Sequence, residues 1–168
     1  MATENTSPES RLRRFVDEGT ERLTDSDALQ HCAVDLLGQG LSEHVEAFFT
    51  AQLGKASHPL DRAVCRQWIR VFAMERGDNE AVARLAEAQV GDLLEGERPE
   101  SAASEAAVAA AAYHQAGWRA EARMMVSRGY ECLQIAEADP GDMSPDEAAV
   151  ARLTSKRLLD DVRVSIGQ

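Results

Sequence analysis

Apolar positions along the chain recur at helical spacing in seven stretches, an alanine-rich run makes an eighth, and the breaks between them are marked by glycine, proline or residues that cap helices. Leu12, Phe15, Val16 and Gly19 share one face of a short first helix ending near Leu23, with Arg11, Arg13 and Arg14 off that face. Thr24 to Asp27 is dense in N-cap residues and opens a second helix through Leu29, Cys32, Ala33, Leu36 and Leu37. After Gly38–Gly40, Ser42 is placed to cap a third helix with Val45, Phe48, Phe49 and Leu53 on its face.

Pro59 suits the first turn of a fourth helix, striped with Val64, Cys65, Trp68, Ile69 and Phe72. Gly77-Asp78-Asn79 turn the chain into a fifth, carried by Val82, Leu85, Ala86, Leu93 and Leu94. The polar run from Glu95 to Ser104 reads as a linker, after which Ala106–Ala112 is strongly helical and small enough for close backbone approach. Gly117 turns that helix into a partner with Trp118, Ala122, Met125, Val126, Tyr130 and Leu133 on one face. Asp139–Asp142 is a turn by composition. Ser144-Pro145-Asp146-Glu147 is a capping box with proline at the first helical position, and Val150, Leu153, Leu158, Val162 and Ile166 then line one broad apolar face.

This pattern predicts an all-α chain: three consecutive antiparallel hairpins over about 26–54, 59–95 and 103–138, with a short N-terminal helix and a capping helix over 144–166. The expected organisation is a disordered tail over 1–8 and one domain over 9–168. The corner glycines at 40, 77 and 117 are 37 and 40 residues apart, within the range of helical-pair repeats.

In the third hairpin Tyr113, Gly117 and Ala122 stand at the aromatic, glycine and alanine positions of a tetratricopeptide (TPR) repeat, with Ala110 at the small position before the aromatic. The hairpin over 104–138 therefore resembles a TPR motif, although Ala106, Ala109, Gly129 and Gln134 stand where the motif has Trp, Leu, Ala and Pro. The resemblance implies a right-handed stack with a concave groove lined by the first helix of each hairpin, here at His114 and Gln115 and on the 60–76 helix. A generic helical bundle or another helical repeat is the alternative architecture.

Composition narrows the function. The formal charge of −11 repels a phosphate backbone, so nucleic acid is excluded as the expected partner, and the acidic start of the third helix (Glu43, Glu46) is wrong for a DNA-reading helix. No apolar run is long enough for a signal peptide or a membrane span, and Arg13-Arg14-Phe15 lacks the hydrophobic segment of a twin-arginine signal. Cys32, Cys65 and Cys132 are widely spaced and helical, as in a reducing compartment, which makes a cytoplasmic setting the default.

Chemical motifs are mostly lacking. No Glu-x-x-His or His-Glu-x-x-His occurs, Gly54-Lys55-Ala56-Ser57 lacks the rest of a phosphate loop, and His58 with Asp61 forms only one pair at metal-ligand spacing. No metal, cofactor or catalytic residue is expected. The positive candidate is Arg62, Arg66 and Arg70, one turn apart and off the apolar stripe, where directed guanidinium–carboxylate bonds can hold an acidic partner.

The first expectation is thus a non-catalytic interaction module, an adaptor, scaffold or small chaperone, that binds a protein or peptide through Arg62, Arg66, Arg70, His114 and Gln115. A second is a structural homodimer joined through Phe48, Phe49, Trp68 or Trp118. The third is an all-α enzyme whose cysteines and histidines converge in space.

Overall fold

Gly40, Gly77 and Gly117 all take left-handed backbone angles, with φ of +76°, +69° and +86°. At each, the amide that follows reaches back five residues: Leu41 to the Leu36 carbonyl, Asp78 to Ala73 and Trp118 to Tyr113, at 2.8–3.0 Å. This bond satisfies a carbonyl the helix end would otherwise leave orphaned, in the manner of a Schellman turn. A computed structural model describes residues 7–17, 23, 26–139 and 143–167. Among them are eight α-helices and no strand: α1 (Pro8–Asp17), α2 (Asp27–Gly38), α3 (Ser42–Leu53), α4 (Pro59–Glu75), α5 (Asn79–Glu95), α6 (Pro99–Gln115), α7 (Arg119–Ala138) and α8 (Pro145–Ser165). The chain is all-α, as the pattern predicts.

The boundaries depart from expectation in three places. The first helix opens at Pro8, while residues 1–6 of the expected tail, the continuation toward Leu23 at 18–22 and most of the turn at 139–142 lie outside the described residues. Ser42 is the first residue of α3 and does not cap it; Leu41 holds the cap position without a side-chain bond. The linker read between Glu95 and Ser104 is instead a tight corner. Arg98 N–H reaches the Leu93 carbonyl at 2.8 Å, and Glu97 supplies the left-handed residue, φ +58°. That conformation costs a non-glycine residue about 1–2 kcal/mol, and Gly96 beside it keeps φ −86°, so the glycine in the sequence does not mark the left-handed position. Pro99 then sits in the first turn of α6, where a missing N–H costs nothing.

By its contacts the chain divides into two compact units, Met1–Phe72 and Ala73–Gln168, with the boundary inside α4. In the first, α1, α2 and α3 pack on one another. Leu12, Leu29, Leu36, Val45, Phe48, Phe49, Val64, Cys65 and Phe72 form the core, with Trp68 and Ile69 half-buried against it. Phe49 stacks on Trp68 with ring centroids 5.1 Å apart and meets Phe48 edge-on at the same distance. Arg11 of α1 bonds Asp35 of α2 at 2.7 Å, and His44 of α3 meets Glu9 at 2.5 Å.

In the second unit α6 is central and packs against α5, α7 and α8. Ala102, Ala103, Ala106, Ala107, Ala109, Ala110 and Ala112 are all buried along it, so its neighbours approach nearly to backbone. The capping box before α8 is present in both directions, Ser144 accepting from Glu147 N–H and Glu147 accepting from Ser144 N–H. The face α8 buries is not the one its large aliphatics mark. Ala148, Ser155, Leu159 and Ile166 face inward, whereas Val150, Leu153 and Leu158 are exposed and Val162 is half-buried. Small residues win because they let α8 lie close to α7 at Gly129, where a Cβ would come within 2.4 Å of Leu159.

Candidate functional site

The arginines of α4 do not form an open wall. Arg70 is buried, 9% exposed, and loss of water around its guanidinium lowers its pKa from the ordinary value. Arg62 and Arg66 are half-buried; Arg62 donates to the Ser57 carbonyl at 2.9 Å, and all three arginines have partners within the chain. Arg70 therefore does not share an open face with Arg62 and Arg66, although the three stand one turn apart. His58 and Asp61 are likewise occupied by backbone: His58 Nδ1 accepts from Leu60 N–H at 3.3 Å and Asp61 accepts from Leu23 N–H at 3.0 Å.

His114 and Gln115 end α6 and point in different directions, since successive helical residues diverge by about 100°. His114 is half-buried, with a ring nitrogen, Nδ1, that is enclosed and unbonded; Gln115 is exposed. The residues that carry the TPR resemblance build a structural corner beside them. Tyr113 is buried and stacks on Trp118 at 5.7 Å, Arg84 of α5 lies 5.1 Å over the Trp118 ring, and Tyr113 O–H donates to Glu87 of α5.

Burial first, then the bond to Glu87, pushes the Tyr113 phenol up to about 12, and half-buried Tyr130, losing water and bonded to Asp160, is also raised. These are the only two tyrosines in the chain. The unfolded phenol ionises near 10, so Tyr113 contributes stability that is complete below about pH 10 and is lost as pH rises toward 12. A spectrophotometric titration of the native protein should show one phenolate step, that of Tyr113, displaced to about 12. The Tyr113→Phe variant should lose the highest step, and two ordinary steps in the native protein would refute the Tyr113–Glu87 contact.

Cysteine chemistry finds little support among the described residues. Cys65 and Cys132 are buried, Cys32 is half-buried, and burial raises the thiols of Cys32 and Cys132 above their ordinary range, away from reactive thiolate. No group of three or more potential metal ligands is present among the described residues. Nor is any helix among them long and apolar enough to cross a membrane. Phe48 and Phe49 belong to the internal core, which removes them from the dimer interface expected of them.

Two features that periodicity alone does not reveal stand out on the second unit. One is the outer face of α8, where Val150, Leu153 and Val164 are 66%, 52% and 73% exposed. At 100° per residue they fall on one side of the helix together with Arg157 and Asp161. Neighbouring charges are internally engaged, Asp160 bonding Lys156 at 2.7 Å and accepting from Tyr130, but Arg157 and Asp161 make no ion pair among the described residues.

The other is a cleft of about 610 Å3 between the start of α6 and α8, lined by Glu97, Arg98, Glu100, Ser104, Met143, Glu147, Ala151, Thr154 and Ser155, among others. Ser155, fully buried, donates to the Glu100 carbonyl at 3.0 Å, so in its 2.7 Å contact with Ser104 the Ser104 hydroxyl is the donor. Both hydroxyl protons thus hold α8 on α6. Compared with family models, curated proteins and solved structures, the chain matches none.

Proposed function

We propose that the protein is a non-catalytic interaction module, a TPR-like helical array that works by helix-on-helix docking at the outer face of α8. The single observation that carries this is the exposed row Val150, Leu153 and Val164, set opposite the packing face of the same helix. Large aliphatics held in water on a well-formed helix are stabilised when another apolar face covers them, by about 25 cal/mol per Å2.

The occupant whose charges fit is α8 of a second copy. In an antiparallel pairing with its two-fold axis level with residue 159, Arg157 of each copy lies opposite Asp161 of the other. Leu153 then lies beside Val164 on both sides of these two ion pairs. Such an isologous contact satisfies with one patch both charges left without an ion pair. One helix pair buries less than the roughly 1,200 Å2 of a standard interface, so the dimer is transient and concentration-dependent. Homodimerisation is thereby moved from the aromatic residues to α8, and the Arg62, Arg66 and Arg70 wall, with Arg70 buried, drops behind it.

Sedimentation velocity over a dilution series tests this. Leu153→Lys should weaken the dimer about 10-fold or more, equivalent to about 1.4 kcal/mol. Arg157→Asp should weaken it as well, and Arg157→Asp with Asp161→Arg should restore it. A wild-type chain monomeric up to ~1 mM, the weak end of specific association, rejects the proposal. So does a dimer indifferent to all three variants.

A further inference from the structure

Glu100 is 4% exposed, and its Oε1 is buried without a hydrogen-bond partner while the residue lines the α6–α8 cleft. Its place in the first turn of α6 explains part of how a carboxylate is tolerated there, since the positive end of the helix favours an anion. The helix end does not supply a bond to Oε1. A buried carboxylate oxygen with no donor is expensive unless a donor arrives, and Glu100 also lines a cleft large enough for an organic molecule.

We infer that the cleft is a binding site for an alkylammonium group, whose N–H donors complete the shell of Glu100 once its side chain turns Oε1, enclosed in this structure, toward the space. The charges favour a cation: Glu97, Glu100 and Glu147 line the cleft against Arg98 alone. Glu147 spends Oε2 on Ser144 and Thr154 donates its proton to the Val150 carbonyl, which leaves the other carboxylate oxygen and the hydroxyl oxygen as acceptors on two residues that line the cleft. Met143 and Ala151 supply apolar wall for methylene groups. An ammonium on a flexible chain fits this set better than a metal ion, because no cluster of three metal-ligating side chains is found among the described residues. The alkylammonium can come from a free diamine or from a lysine side chain of a peptide. This site is separate from the outer face of α8 and does not depend on self-association.

Isothermal titration calorimetry with 1,4-diaminobutane and with a blocked Gly-Lys-Gly peptide tests the assignment, with circular dichroism confirming the fold of each variant. Wild type should bind at least one probe with one-to-one stoichiometry and gain melting temperature from it. Glu100→Gln, the same shape without the charge, should weaken binding about 10-fold or more. Ala151→Phe, which fills the cleft and leaves Glu100 in place, should weaken it similarly. Glu137→Gln, on exposed α7 surface, should change nothing. The stronger of the two probes identifies the source. Absence of binding to both probes, equal binding by Glu100→Gln, or an equal loss in Glu137→Gln, the mark of diffuse attraction to an acidic protein, overturns the inference.

Discussion

Leu159→Ala is expected to destabilise the second unit by about 3–5 kcal/mol, the upper part of the range for a buried leucine. Leu159 is fully buried, and both of its methyl groups lie where a side chain on Gly129 of α7 would stand, the nearer 2.4 Å from the Cβ position. Removing them leaves a gap walled by helix backbone, which cannot fold inward as side chains do. Gly129→Ala in the wild-type background forces Leu159 aside, a penalty of about 1–3 kcal/mol for overpacking offset by about 1 kcal/mol of helix propensity. The double variant should lose less than the sum, because the new methyl occupies space the leucine vacates. Thermal melts followed by circular dichroism measure all three; strict additivity would show that α7 and α8 do not meet at this point.

In the first unit the largest effect belongs to Phe49→Ala, expected to cost about 3–5 kcal/mol. Phe49 is fully buried, lies parallel to Trp68 at an interplanar angle of 4°, and meets Phe48 edge-on. The chain has two tryptophans, so in a Trp118→Phe background the fluorescence reports Trp68 alone. Loss of the stacked ring should shift that emission to the red in the native state, and Phe49→Leu should shift it less. Unchanged emission in Phe49→Ala would place Trp68 elsewhere.

Helix number, the three glycine corners and the Ser144–Glu147 box are legible in the sequence because each is local: a left-handed turn needs glycine at one position, and a capping box needs two residues three apart. The fourth corner escapes because Glu97 adopts the glycine conformation. What is not local is misread. The burial of Arg70, the pairing of Gly129 with Leu159 and the Ser104–Ser155 bond all depend on residues far apart in the chain. Apolar periodicity on α8 marks Val150 and Leu153 correctly as a stripe and assigns that stripe to the wrong side, since a helix with Ala148, Ser155 and Leu159 opposite can pack on small residues instead. The candidate cleft has no sequence signal at all beyond an acidic residue after proline, which reads as an ordinary helix start.

The alanine row of α6 bears on how the second unit divides its free energy. Alanine has no rotamers to lose, so ordering these side chains carries almost no conformational entropy penalty, while each offers only one methyl to bury. The central helix is therefore held by many weak dispersion contacts summed along its length, with little contribution from any one side chain. Its tolerance is asymmetric: a residue trimmed to glycine gives up a single methyl and some helix propensity, whereas one enlarged to valine must push a whole neighbouring helix away.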